Sequence, residues 1–492
     1  MSPFFLGFKR PRVLMLLMML AAALRLAASW NDLSIDEIWT LCMIQDLVRQ
    51  PADLVRGGML HDNNHLLNSA WMYLLGPHLP AVLYRLPAVV AGTAAVYAAW
   101  LFGRTRSPAS AVACAGLVAI DHVLVHAGSE ARGYGVLTLA VIVAQVTILA
   151  GFGHQAAHAE SGGEIRFGQI VTGPAVVFNL AALTGFLAHL TFVSCYGAAL
   201  IWSVWRSGFD TDRPLGRRLA TLAVWHAAPL MLLAALALGF VRGMDYGRGP
   251  RNELVTAVIQ TCSAFAGGPL EIPWAYPLAA GGLLGGAASL VACWRNDPQR
   301  GLLMALVTCG VPAAIFLCFP IDFYSTRYFQ VPAQTLAMVV ASEAAVAAAR
   351  WPRLLTLMVA TAFCVANLAR DATLIGRGRG GYVRSIRHMI DATTTPMPIV
   401  TAYSNHDFRM RLLIGYHQAR MPGRKIRLFG KEELPTSGAE WYILDDYRHG
   451  GMGAPRIADR HGNVYDRELI VRGGGIAPLH WYLYRRVGQT VE

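Results

Sequence analysis

Charge is scarce in this chain. Asp, Glu, Lys and Arg make up 15% of its 492 residues, where a soluble globular protein carries about 25%. Lysine is nearly missing, with only 3 among the 42 basic residues. No C-x-x-C pair occurs among the eight Cys, and none lies beyond Cys364. Most fall in apolar runs and read as small buried hydrophobes, while Cys42 and Cys262 stand outside those runs and are not paired by sequence alone. There is no internal repeat and no low-complexity tract. Together these absences exclude disordered, collagenous and coiled-coil chains and small disulfide scaffolds. What is abundant is apolar: 55% of residues are hydrophobic, with a mean hydropathy of +0.41. The net charge of +12 would ordinarily suggest nucleic acid, but many Arg sit between apolar runs, where they set membrane topology instead. No nucleic-acid partner is expected. The composition describes a mainly α polytopic membrane protein with membrane lipid as its solvent.

A span needs about 20 mainly apolar residues. Eleven are expected, at 13–29, 81–103, 108–127, 132–152, 170–187, 190–205, 219–240, 273–294, 301–319, 328–349 and 353–370. The first follows Lys9, Arg10 and Arg12 like a signal peptide, yet Arg25 interrupts it and further spans follow, so it reads as an uncleaved signal-anchor. With the N-terminus in the cytoplasm, fourteen Lys and Arg fall in the short cytoplasmic segments and seven in the opposite loops between spans, which supports that orientation. It puts the loops 30–80 and 241–272, and everything after about 371, on the outer face. Arg377-Gly-Arg-Gly-Gly381 reads as a flexible linker. It separates a membrane domain, 1–375, from a small outer α/β domain, 382–492. Within the latter, helices are expected at 383–392 and 405–416, and strands at Pro398–Tyr403, Lys425–Phe429, Glu440–Asp445, Glu468–Arg472 and His480–Arg486.

Four polar clusters meet that outer face. Ser34-Ile-Asp-Glu37 matches the capping box S-x-x-E and accounts for Glu37, leaving Asp36 free for other work. His61-Asp-Asn-Asn-His65 leads into an apolar helix. It suits a polar substrate-binding or helix-capping patch better than a metal site, since no third well-placed ligand joins His61, His65 and Asp62. Asp121-His-Val-Leu-Val-His126 and Ser129-Glu-Ala-Arg-Gly-Tyr134 stand between spans three and four. Asp322-Phe-Tyr-Ser-Thr-Arg-Tyr-Phe329 connects spans nine and ten. Singly, each is explained as a capped or interfacial helix end. Together they place a carboxylate, a His/Asn patch, two Arg and several Tyr at lipid level. Arg grips two phosphate oxygens at once, and a carboxylate can take a proton from a hydroxyl. A phosphate clamp beside a base is what transfer from a lipid phosphate to a hydroxyl requires. A transporter or lipid flippase is the alternative, but those place ionisable groups near the bilayer midplane, where this chain has few.

The Asp-Glu pair after span one, the His-containing polar segment before an apolar helix, Leu83-Tyr-Arg-Leu-Pro87, Ser129–Tyr134 and Arg327-Tyr328 occur in an order that resembles the GT-C glycosyltransferases. The likeness spans roughly residues 10–370 and is to the protein-mannosyltransferase and aminoarabinose-transferase branch. This chain reads His65-Leu-Leu where relatives often read His-Pro. The resemblance implies an inverting transferase that moves a sugar from a polyprenyl-phosphate donor to a lipid, glycan or protein acceptor. It makes Asp36 the general base, puts Arg327 and Arg132 on the donor phosphate, and lines the substrate pocket with Glu37, Asp62, Asn64, His65, Tyr134 and Tyr328. That branch is largely metal-independent, so no cofactor and no metal is expected. The location expected is a bacterial inner membrane with the outer domain periplasmic or extracellular.

Overall fold

The computed structural model describes residues 11–160, 173–209, 214–245, 253–318, 324–393, 399–446, 453–476 and 479–489. Lys9, Arg10, Asp322, Phe323 and Pro398, named above, lie outside them. The chain is mostly helical, with one small sheet near its C-terminus. Each expected span holds a helix. Among the described residues eight helices are long and apolar enough to cross a membrane, and the helices Pro108–Ile120, Gly173–Ala188 and Val193–Phe209 are shorter. The segment 241–272, expected as a loop, contains a helix, Leu254–Phe265.

The first span, α1 (Pro11–Ser29), is followed by α2 (Ile35–Leu47), α3 (Leu66–Leu75) and α4 (Ala81–Arg104). The expected span 108–127 is broken at Asp121 into α5 (Pro108–Ile120) and α6 (His122–Ala127), and Asp121 caps α6 by accepting from the Leu124 amide. Arg25 explains how the break is tolerated. Its guanidinium is fully buried and donates to the carbonyls of Val118 at 2.8 Å and Ala119 at 3.2 Å. These belong to the last turn of α5, whose carbonyls have no partner inside the helix. The charge that interrupts the first apolar run is thus a cap for another helix. A Cβ at Gly92 or Gly128 would come within 2.6 Å of Arg25 Nε, so both positions leave room for that side chain.

The outer sheet has strand order β2-β1-β3-β6-β5-β4, with β1 (Ile399–Ser404) parallel to both β2 (Lys425–Phe429) and β3 (Trp441–Asp446). β5 (Asn463–Arg472) and β6 (His480–Gln489) complete it antiparallel, with a short β4 (Arg456–Ala458) that the sequence did not announce. Alternating burial along β3 turns Trp441 and Ile443 inward. They join Ile38, Leu41 and Ile44 of α2, Met72 of α3, and Val400, Leu413 and Trp481 in one apolar core. The early outer loop and the last hundred residues are therefore two halves of one packed body. The flexible linker expected at 377–381 is not seen. Arg379 is buried there, donating to the carbonyls of Ala28 and Ser129 at 3.0 and 2.9 Å and standing 3.4 Å from Glu130.

Candidate active site

Ser34 caps α2, and the capping box expected from S-x-x-E is formed. It fixes the first turn so that Asp36 and Glu37 diverge. Glu37 turns inward. Its oxygens take the Ser34 amide at 2.6 Å, the Ala131 amide, and Arg85 Nε and Nη2 at 2.8 and 2.7 Å, with neither side chain exposed. Arg85 also donates to the carbonyls of Ser29, Asn31 and Asp32. Glu37, expected in the substrate pocket, is instead the buried brace that ties α2 to α4. A two-pronged guanidinium–carboxylate pair holds both neighbours rigidly.

Asp36 turns outward and keeps 24% of its side chain exposed. Its Oδ2 accepts from Arg132 Nη1 at 2.7 Å and from Arg327 Nη1 at 2.6 Å. Burial pushes the carboxyl upward, but the Arg132 and Arg327 charges outweigh it and hold it down at about 2, from an ordinary 3.8. Asp36 is ionised at every physiological pH.

Arg132 makes three side-chain hydrogen bonds. Besides Asp36 it donates Nε to His65 Nε2 and Nη2 to Asn63 Oδ1, both at 3.1 Å. His65 therefore accepts at Nε2, and its other nitrogen faces the Ala188 carbonyl, so the ring is neutral. Burial, the Arg132 charge and His189 hold it well below the usual range for histidine. Arg132, expected on the donor phosphate, links Asp36 to His65. Asn63 donates to the Asp36 carbonyl at 2.9 Å and to Thr40 at 3.1 Å. Asn64, expected to face substrate, is 7% exposed and donates to the Leu54 and Met59 carbonyls, so it shapes the loop.

His65 stacks on His189 with ring centroids 4.7 Å apart, and Tyr134 packs against His189 at 4.5 Å. The sequence reading passed over His189. Only its loop between two spans, on the same face as the other clusters, marked it. The loop reaches His65 because Gly133 has no side chain, since a Cβ there would overlap the Ala188 carbonyl. Gly133→Ala is expected to cost about 1–3 kcal/mol of stability, the usual toll of overpacking, read as a lower unfolding midpoint in detergent. An unchanged midpoint would mean that the loop relaxes freely.

Arg327 lies in a short 3₁₀ turn, Thr326–Phe329, capped by Ser325, and half-buried Tyr328 follows it. Arg327 also borders a narrow, largely apolar pocket whose walls include Tyr134, His126, Glu130, Gln330 and Ile476. His61, Asp62 and His65 do not converge. His61 lies 2.7 Å from Asp62 and packs on Trp39 at 4.3 Å, whereas His65 faces Arg132. Among the described residues no three His, Cys, Asp or Glu are grouped to hold a metal. The eight Cys are all free thiols.

No protein-family model matches the sequence, and no curated protein does. Solved structures of similar shape exist. The archaeal oligosaccharyltransferase AglB from Archaeoglobus fulgidus, in complex with an inhibitory peptide and a dolichol-phosphate, is 10% identical with a TM-score of 0.48, over 89% of this chain and 70% of that one. The Archaeoglobus fulgidus oligosaccharyltransferase tethered to an acceptor peptide is 11% identical with a TM-score of 0.45, over 84% and 64% of the two chains.

Proposed function

We propose that the chain is a membrane glycosyltransferase, inverting, that moves a sugar from a polyprenyl-phosphate donor to an acceptor hydroxyl at the outer face. The observation that carries this reading is a single carboxylate, Asp36, clasped by Arg132 and Arg327 at 2.7 and 2.6 Å where helices end. A transporter's ionisable groups would sit along a path through the bilayer, and this cluster is gathered at one mouth.

In the mechanism, the donor's phosphate approaches the Arg327 side chain, which is 21% exposed. The phosphate competes with Asp36 for the Arg327 guanidinium and draws it away. Asp36 then takes the proton of the acceptor hydroxyl as the hydroxyl oxygen attacks the anomeric carbon. The anomeric carbon–oxygen bond to phosphate breaks, and polyprenyl phosphate leaves with one further negative charge, stabilised by Arg327. A single displacement inverts the anomeric centre. The protein's share is positioning and charge neutralisation. Arg132, tied to His65 and Asn63, holds the carboxylate in place throughout.

Arg327→Lys keeps the charge and loses the planar fork. Release of radiolabelled sugar from a panel of polyprenyl-phosphate sugars should fall about 10- to 100-fold in kcat/KM for the donor, the worth of one charged hydrogen bond. Unchanged donor kinetics in this variant would reduce Arg327 to an interfacial anchor, and absence of turnover with every donor would favour the transporter.

A further inference from the structure

Asp36 opens toward a group of aromatic rings that the mechanism above does not use. Trp39 lies one helical turn beyond Asp36, on the same face of α2. His61 packs edge-on against it at 4.3 Å, and Phe408 does so from the other region at 5.4 Å. These rings come from three separate stretches: α2, the loop ahead of α3, and the first turn of the helix Asp407–Gln418 in the sheet domain. Phe408 is 54% exposed although it belongs to a domain with a well-filled core. Trp39 and His61 are also partly open. The rim is polar. Asp62 adjoins His61, Asp36 stands beside Trp39, and the charge of Arg409, next to Phe408, is felt at Asp36.

We infer that Trp39, His61 and Phe408 form a stacking subsite for a sugar ring of the acceptor, so that the acceptor is a carbohydrate and not a peptide. The inference rests on the transferase reading. Aromatic faces carry partial negative charge, and a pyranose presents a disc of positively polarised C–H bonds with hydroxyls around its edge. That shape matches aromatic rings ringed by carboxylates and a guanidinium. An acyl chain would have no use for the charged rim, and a short Ser or Thr side chain offers no disc to stack. One ring seated on the platform would hold a hydroxyl beside Asp36, and the sheet domain would thereby supply part of the acceptor site.

Saturation-transfer NMR on the full chain in lipid nanodiscs tests this, with methyl β-D-glucopyranoside, methyl β-D-galactopyranoside and methyl α-D-mannopyranoside as probes. Saturation of ring C–H protons is expected for at least one glycoside. It should fall about tenfold in Phe408→Ala, near the upper limit for one aromatic contact, and return in Phe408→Tyr. Trp39→Tyr, which keeps a ring, should retain part of the signal. No saturation in the wild type, equal saturation in Phe408→Ala, or Phe408-dependent saturation of acetyl-Ala-Thr-Ala-amide would each overturn the assignment. Phe408-dependent sugar binding with no donor turnover would leave the platform standing and defeat the transferase reading. Donor turnover with Phe408-independent binding would do the reverse.

Discussion

Asp36→Asn is expected to lower turnover per folded molecule by about 10²- to 10⁴-fold, the contribution of a positioned general base, with a lower unfolding midpoint because Arg132 and Arg327 lose their shared counter-charge. Asn keeps the shape and can still accept from Arg132 and Arg327, so the two guanidinium groups stay where they are. What it loses is the capacity to take a proton. The pH profile separates this from a merely electrostatic role. Held at about 2 by the two Arg against an ordinary 3.8, the free enzyme's Asp36 stays ionised down to strongly acidic pH, so it sets no acid limb on kcat/KM above about pH 4. Once donor phosphate has taken Arg327, one of the two depressing charges is shared, the carboxyl rises, and the acid limb of kcat should lie at higher pH than that of kcat/KM. By linkage, the stability this depressed carboxyl contributes is complete above 3.8 and is lost as pH falls through about 2. Near-normal turnover in Asp36→Asn, measured as label leaving the donor, would remove Asp36 from the chemistry.

In turnover, the neighbouring carboxylate should respond in the opposite way. Glu37→Gln leaves Arg85 as an uncompensated charge with no exposure at all, and breaking one side of a buried pair costs about 3–5 kcal/mol. The expected result is a large drop in unfolding midpoint and yield, with turnover per folded molecule within a few-fold of wild type. Thermal unfolding in detergent, followed by donor turnover on the surviving monodisperse fraction, reads both quantities. A variant of normal stability that lacks turnover would exchange the roles assigned to these adjacent residues.

The contrast shows what the sequence could disclose. The spans were legible because the bilayer demands long apolar runs, and the capping box because S-x-x-E is a local pattern. Asp36 stood out as the acid that the cap did not need. The partners of Glu37 were not legible. Nothing local says that Arg85 of α4 and the Ala131 amide converge on it, so a brace and a pocket residue read alike. Asn63 and Asn64 are adjacent and chemically identical, yet one joins Arg132 and the other closes a loop. Arg379 looked like part of a Gly-rich hinge because the carbonyls that bury it belong to α1 and the segment after α6. Phe408 and His189 carry no motif at all, and only the tertiary packing places them near Asp36.

The core shared by α2 and the sheet sets a timetable for synthesis. The segment bearing Asp36 is among the first to be translated, while Trp441 and Trp481, which pack in the same core, arrive among the last. Until then α2 lacks the part of its apolar packing that the sheet supplies, and contacts this distant in sequence form late. A ribosome that stalls, or a protease that clips the tail, therefore leaves an inserted bundle whose Asp36 helix lacks its support. A chain cut short leaves the helix that carries Asp36 without the strands that complete its core.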